Sequence, residues 1–177
     1  LELTGVLRLE KGASGGAFMR EGGAEGITLS IRNMLILSQL PLSHLTEARS
    51  SVLGQAARLA AARGTEADFL AIEKNVDLTE KVVALGDPVV SIGPISEFYS
   101  LIGKASHNPV MAMLVDSLVD IVRELLLRLK LPTNMDLITP RRAALAAMRA
   151  GDAKLAEQLI REHLERSAAY VQERMDR

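Results

Sequence analysis

Apolar residues recur at intervals of three and four through most of the chain after residue 26, which is the spacing of one face of a helix. Proline, glycine and short polar segments interrupt this pattern. It predicts a linker helix over residues 27–40, ending at Pro41, and then an antiparallel bundle of about six helices joined by short loops. The predicted helices cover residues 43–63, 65–84, 93–105, 109–131, 139–150 and 152–177.

Residues with helix-capping side chains stand at most of the predicted helix starts. Thr65 with Asp68 three residues later has the pattern of a capping box, and Pro109 after Asn108 suits the first helical position. Residues 86–88 interrupt the helical pattern, and Gly93 and Pro94 after them are interpreted as the start of the third helix. The predicted N-caps are Ser43, Thr65, Asn108, Thr139 and Asp152.

The first 20 residues follow a different pattern. Residues 5–10 alternate with a period of two, residues 12–16 are rich in glycine, and residues 17–19 are again mostly apolar, which together predict a β-hairpin. Because a lone hairpin is barely stable and no initiator methionine opens the chain, we expect its support upstream of Leu1. We therefore predict an all-α fold with a small β appendage, divided into residues 1–21 (hairpin), 22–42 (linker and linker helix) and 43–177 (helical domain).

Composition and charge exclude several classes of protein. The net charge of -1 gives no overall basic field, so these residues alone are no obvious nucleic-acid binder. The absence of cysteine excludes disulfides and thiolate metal sites. The most apolar segment, 110–131, contains charged residues such as Asp116, Asp120 and Arg123, so it predicts a buried helix and not a membrane span. With no signal-peptide pattern at the start, we expect a cytoplasmic protein that does not contact a membrane.

Five segments share their residue types and order with one known family. They are Thr46-Glu47-Ala48-Arg49 with 56–61, Glu97-Phe98-Tyr99, 105–109, 143–152 and 160–164. Together they resemble the C-terminal FCD domain of FadR-type transcription regulators in the GntR family. Residues 11–18 are similar to the glycine-rich wing that closes the winged helix-turn-helix of that family.

The resemblance implies a homodimer that binds operator DNA through winged domains, and a small metabolite that enters the helical domain and changes the affinity for DNA. Five wing residues would lie against the DNA backbone: Lys11, Gly12, Ser14, Gly15 and Gly16. Since the recognition helix is not among these 177 residues, we do not expect them to read bases by themselves. A homodimer is also expected because the hairpin and residues 27–40 are too apolar to stand free.

Many members of this family hold a divalent metal with one Asp and three His, and the resemblance maps these positions onto Ile95, Tyr99, Arg141 and His163. A site that retains one of four metal ligands cannot hold zinc or a similar transition-metal ion, because such ions need about three protein ligands even at an open site. The guanidinium of Arg141 would moreover repel a cation. We therefore expect no metal and no other cofactor.

The positive charge of Arg141 can take the place of the metal and bind a carboxylate through its planar fork. Arg49 is a second candidate cation, Tyr99 and His163 supply hydrogen-bonding groups, and Ile95 makes one wall more apolar. This set predicts a small, organic-acid-like effector bound without metal.

Structural alternatives stay open for these residues. Arg141 could lie in solvent or pair with Asp136, and Arg49 could pair with Glu47. Tyr99 and His163 could be core residues with satisfied hydrogen bonds.

The alternatives to a regulator are an enzyme and an interaction module. A catalytic function is not expected, since the chain has no cysteine, few histidines and no recognisable Ser-His or carboxylate-pair motif. A helical dimerisation or interaction module without a ligand is the remaining alternative.

Overall fold

The computed structural model describes residues 7–10, 16–19, 42–129 and 136–175, together with Gly26, Leu29 and Asn33. The described residues form two strands and six helices: β1 Leu7–Glu10, β2 Gly16–Met19, α1 Leu42–Arg63, α2 Glu66–Val83, α3 Pro88–Ala105, α4 Pro109–Leu129, α5 Ile138–Arg149 and α6 Ala153–Met175. The predicted all-α bundle of six helices is confirmed for residues 42–129 and 136–175.

The N-terminal strands pair antiparallel, with Leu7 opposite Met19 and Glu10 opposite Gly16. The turn of the predicted hairpin, residues 11–15, lies outside the described residues. Most of the predicted linker helix does so too, although Gly26, Leu29 and Asn33 are helical and exposed. The wing, the linker helix and the domain boundaries at 21 and 42 therefore stay predictions.

Helix α1 contacts four of the other five helices, α3, α4, α5 and α6, while α2 packs against α3 and α5. The buried face of α1 is rich in alanine. These small side chains let the neighbouring helices approach closely. One core cluster takes residues from all six helices, among them Leu53, Ala57, Phe69, Ile72, Phe98, Ile102, Val115, Met148, Ile160 and Leu164. Phe98 and Tyr99 of the site described below are part of this cluster.

Three predicted helix caps are confirmed by their hydrogen bonds. Thr65 and Asp68 form a complete capping box at the start of α2. Asn108 Oδ1 accepts from the backbone N–H groups of residues 110 and 111 before α4, and Asp152 Oδ1 accepts from that of residue 155 before α6. Each side chain satisfies N–H groups that have no partner within the helix.

The predicted start of α3 is wrong. The helix begins at Pro88, and Asp87 is its N-cap, with Oδ1 accepting from the N–H groups of residues 89 and 90. An N-cap aspartate followed by proline at the first helical position is a stronger start signal than Gly93 and Pro94. Pro94 lies inside the helix instead. Gly93 has no Cβ to clash with the ring of Pro94, which eases a helical conformation at that position.

The starts of α5 and α1 also differ from prediction. α5 begins at Ile138, and the carboxylate of Asp136, not Thr139, accepts from the backbone N–H groups of residues 138 and 139 at 3.0 Å each. Residues 138–140 are therefore the first turn of the helix. Ser43 lies within α1 and not before it, since Leu42 is already helical.

Exposed arginines on α5 connect that helix to α2. Arg142 forms ion pairs with Asp77 and Glu80, and Arg149 with Glu66 and Glu73. These four pairs are at the surface, so each stabilises the fold only slightly. They fix which face of α5 points outward, and Arg141, next to Arg142 in sequence, points inward.

The long helix α4 is less buried than predicted. Its residues Val115, Leu118, Val119 and Ile121 are buried, whereas Val110 is 60% exposed and Leu127 is 37% exposed. None of the helices in the described ranges combines the length and the apolar character that crossing a bilayer requires.

Candidate functional site

Four helices bring the predicted site residues together around the ring of Tyr99. Arg49 comes from α1, Tyr99 from α3, Arg141 from α5 and His163 from α6. The Cζ atoms of Arg49 and Arg141 lie 4.5 and 5.3 Å from the centroid of the Tyr99 ring. The His163 ring is stacked on the same ring, with centroids 6.2 Å apart and an interplanar angle of 22°. Residues separated by up to 114 positions in sequence thus form one cluster.

Arg141 has no solvent exposure at all. Its Nη2 donates a hydrogen bond of 2.9 Å to the backbone carbonyl of Ile95, and its Cζ lies 4.4 Å from the centroid of the Phe98 ring. The Nε and Nη1 atoms are buried and make no hydrogen bond. The alternatives in which Arg141 lies in solvent or pairs with Asp136 are therefore wrong, because Asp136 caps the backbone of α5 and Arg141 faces the core.

Arg49 lies against the Tyr99 ring and forms no pair with Glu47, which is exposed. The Arg49 side chain is half-buried, and its Nε is buried without a hydrogen-bond partner. Removal from water lowers the pKa of both arginines, against the opposing effect of Tyr99, and Arg49 lowers the pKa of Arg141 further. Arginine stays protonated in proteins even so, which means that the site contains two positive charges.

His163 is completely buried, and neither of its ring nitrogens has a hydrogen-bond partner. Burial lowers its pKa to about 3, with Arg141 and Arg49 lowering it further by Coulomb repulsion. The imidazole is therefore neutral at neutral pH, with one N–H donor and one acceptor nitrogen that both lack partners.

Ile95 contributes its backbone carbonyl, through the hydrogen bond from Arg141. The apolar wall expected of its side chain stays a prediction.

Two further residues were not predicted from the sequence: Phe98, which belongs to the same cluster, and Ser50, which follows Arg49 in sequence. Phe98 is fully buried and packs edge-on against Tyr99, with ring centroids 5.3 Å apart. Its place inside the matched Glu97-Phe98-Tyr99 segment was the available signal. Ser50, next to Arg49, is 6% exposed, and its Oγ is buried without a partner. No sequence pattern indicated it.

The remaining predicted features are the absence of a metal site and the wing residues. Among the described residues, no group of three or more His, Asp or Glu side chains could hold a metal ion. Gly16 begins β2, whereas the other predicted wing residues lie outside the described ranges.

The fold and the site together define a class of protein: a six-helix bundle with a cationic, hydrogen-bonding cluster inside it. The FCD domain model matches residues 44–166, a stretch that contains α2 to α5 in full, nearly all of α1, the first 14 residues of α6 and the whole cluster. The chain belongs to the FCD domain family. This confirms the resemblance found in the sequence, and the family implies transcription regulation with effector binding.

Three solved structures have the same fold. A GntR protein of Streptococcus agalactiae is 22% identical with a TM-score of 0.70, over 95% of this chain and 76% of that one. McbR/YncC of E. coli is 17% identical with a TM-score of 0.67, over 93% and 77%. The third is Lar, which controls the expression of the Listeria monocytogenes agr system. It is 14% identical with a TM-score of 0.53, over 95% of this chain and 73% of that one. A comparison with curated protein sequences finds no match.

Proposed function

We propose that the protein is a DNA-binding transcription regulator whose helical domain binds a small organic anion without a metal ion and forms a homodimer. The family assignment supports regulation, and the buried cluster supports the anion. The wing residues Lys11, Gly12, Ser14, Gly15 and Gly16 would contact operator DNA, together with the rest of a winged domain. We assign the chain no catalytic role.

The observation that carries this proposal is a group of buried nitrogen atoms without hydrogen-bond partners. They are Arg49 Nε, Arg141 Nε, Arg141 Nη1, His163 Nδ1 and His163 Nε2. Buried polar groups in proteins are almost always hydrogen-bonded, so several orphans around one ring indicate a place for a ligand. Oxyanions accept such hydrogen bonds, and charge-assisted bonds to a carboxylate are the strongest that arginine makes.

The same residues favour an anion over a metal. At the family's metal positions this chain has Ile95, Tyr99, Arg141 and His163, of which His163 is the one ordinary metal ligand. Burial lowers the pKa of His163 most, and Coulomb repulsion of its protonated form by Arg141 and Arg49 lowers that pKa further. A divalent cation would meet the same repulsion.

Exposed apolar side chains support the homodimer. Val110 on α4 is 60% exposed, Leu85 between α2 and α3 is 73% exposed, and Val89 and Val90 in the first turn of α3 are 50% and 48% exposed. Apolar surface of this kind is a feature of surfaces that self-associate. Sedimentation of the chain at micromolar concentration should give a dimer, and a monomer alone would contradict this part of the proposal.

Calorimetry with a panel of organic acids tests the anion site. A ligand that binds the wild-type chain should bind Arg141→Ala about ten to a hundred times more weakly, because a charge-assisted bond contributes about 1.5–3 kcal/mol. Arg141→Lys should restore little, since an ammonium lacks the planar fork. Arg142→Ala, at the exposed neighbour, should bind like wild type. Equal binding by Arg141→Ala and Arg142→Ala would exclude the site, and stoichiometric transition metal in the purified protein would exclude metal independence.

One observation favours the alternative of a ligand-free interaction module. Both guanidinium groups stack on aromatic rings, Arg49 on Tyr99 and Arg141 on Phe98, and such contacts stabilise arginine in protein cores. Stacking, however, satisfies the face of a guanidinium and not its N–H groups, which lie in the plane. The unsatisfied atoms are in that plane, so the stacking explains the position of the arginines but not their missing partners.

A further inference from the structure

The site contains two guanidinium groups, and their positions bear on the charge of the ligand. Cζ of Arg49 and Cζ of Arg141 lie 4.5 and 5.3 Å from the same Tyr99 centroid, so the two carbons are at most about 10 Å apart, the sum of these distances. Arg49 also lowers the pKa of Arg141 by Coulomb repulsion, which requires them to be close. This separation is within the span of one small molecule with two anionic ends.

Nothing within the described part of the chain neutralises these charges. The acidic group that His163 interacts with is Asp136, an exposed side chain whose carboxylate caps α5. Among the residues that the structure describes, no carboxylate lies within ion-pair distance of Arg49 or Arg141. The neutral imidazole of His163 adds hydrogen-bonding groups and no charge.

Arg141 is fully buried and Arg49 is half-buried. A charge removed from water without a counterion is costly, so two negative charges in the ligand would suit the site better than one. A monoanion would neutralise one arginine and leave the other uncompensated. A ligand with two negative charges a few ångströms apart would neutralise both and could also accept hydrogen bonds from Arg49 Nε, Arg141 Nε and Arg141 Nη1.

We infer that the effector is a small, doubly charged oxyanion, either a short dicarboxylate or a phosphate monoester, that bridges Arg49 and Arg141. This inference rests on the proposed function, because it specifies the charge of the anion that the site binds. Arg49 is then a specificity-determining residue, which selects a dianion over a monoanion of the same size.

Matched pairs of probes separate charge from shape. We would measure binding of succinate and monomethyl succinate, and of methyl phosphate and dimethyl phosphate, to the 177-residue chain at pH 7.5 by calorimetry and thermal shift. Within each pair the second probe has one more methyl group and one negative charge less. We expect one of the two dianions to bind roughly ten to a hundred times more tightly than its monoester, and the pair in which this occurs distinguishes a carboxylate from a phosphate ligand.

Two variants assign the preference to its residues. Arg49→Gln and Arg141→Gln should each reduce the preference for the dianion to less than roughly threefold, whereas Arg142→Gln should leave it unchanged. A monoester that binds wild type as tightly as its dianion, with a loss in Arg141→Gln, would overturn the dianion and leave the anion site intact. If no probe binds, or if Arg141→Gln binds like wild type, both the dianion and the proposed anion site are wrong.

Discussion

Nη2 of Arg141 donates a hydrogen bond of 2.9 Å to the backbone carbonyl of Ile95. The bond joins the beginning of α5 to the middle of α3, and it uses one edge of the guanidinium plane. Because Cζ also lies over the Phe98 ring at 4.4 Å, both the position and the tilt of the group are fixed. A ligand therefore meets an arginine whose remaining donors, Nε and Nη1, are already oriented, and little side-chain entropy is lost on binding.

An unpaired buried charge should make the unliganded protein less stable than it could be. We predict that Arg141→Met raises the free energy of unfolding of the ligand-free chain by about 1–2 kcal/mol, since the desolvated charge is removed and the apolar stem is largely retained. Thermal unfolding would record this as an increase in Tm of several degrees.

Arg142→Met is the control for this prediction. It removes exposed ion pairs to Asp77 and Glu80, so its Tm should stay level or fall slightly. A large decrease in Tm for Arg141→Met would mean that Arg141 has a purely structural role, and the case for a ligand charge would fail.

The buried neutral histidine should make stability depend on pH. The pKa of His163 is about 3 in the folded protein, below its value of 6.5 in a model compound, so at intermediate pH the unfolded chain binds a proton that the folded chain does not. Stability is fully present above pH 6.5 and falls as the pH is lowered towards 3, by up to about 1.4 kcal/mol per unit. Urea unfolding of wild type and His163→Leu at pH 7.5, 6.5, 5.5 and 4.5 would measure the difference in slope.

The slope of His163→Leu should be smaller than that of wild type by about this amount. His44→Leu, at an exposed position on α1, is the matched control and should retain the wild-type slope. Parallel slopes for wild type and His163→Leu would show that the histidine titrates normally and is hydrated.

The helix contact at Gly103 should tolerate no larger residue. A Cβ there would lie 3.1 Å from both Cβ and Cγ1 of Val115 on α4, and Val115 is fully buried and stiff at χ1. Gly103→Ala should therefore lower the free energy of unfolding by about 1–2 kcal/mol, even though alanine is the better helix former. Ser100→Ala, at a half-buried position of the same helix, should change it by less than about 0.5 kcal/mol. A stabilised Gly103→Ala variant would mean that α3 and α4 can separate at no cost.

The corrected start of α3 also makes a prediction. Asp87 caps two backbone N–H groups, so Asp87→Ala should cost about 1 kcal/mol of stability in urea unfolding. Asp120→Ala, at an exposed position inside α4, should cost less. If the two variants behave alike, the cap contributes nothing and the first turn of α3 is frayed.

The sequence predicted most helix caps correctly, but it was less informative where one helix had two candidate starts. Capping at Thr65, Asn108 and Asp152 was predictable because each involves residues within three positions of one another. The sequence offered two candidate starts for α3 and two for α5. For α3 the Asp87-Pro88 signal was the stronger one and was passed over, whereas for α5 spacing alone does not rank Asp136 against Thr139.

For the site, the resemblance identified Arg49, Tyr99, Arg141 and His163, and the structure brings them together. It could not say whether Arg141 is buried, because that depends on the rotation of α5 about its axis. The contacts of Phe98 and the burial of Ser50 depend on how the helices pack, which no local pattern specifies.

The two faces of α5 respond to different components of the solution. The exposed pairs of Arg142 and Arg149 with α2 are screened as ionic strength rises, over a Debye length of about 8 Å at physiological salt. Arg141, on the buried side of the helix, is shielded from bulk ions. Salt thus weakens the outer attachment of α5, whereas the proposed anion would strengthen the inner one, and affinities measured at low salt would refer to a helix held at both places.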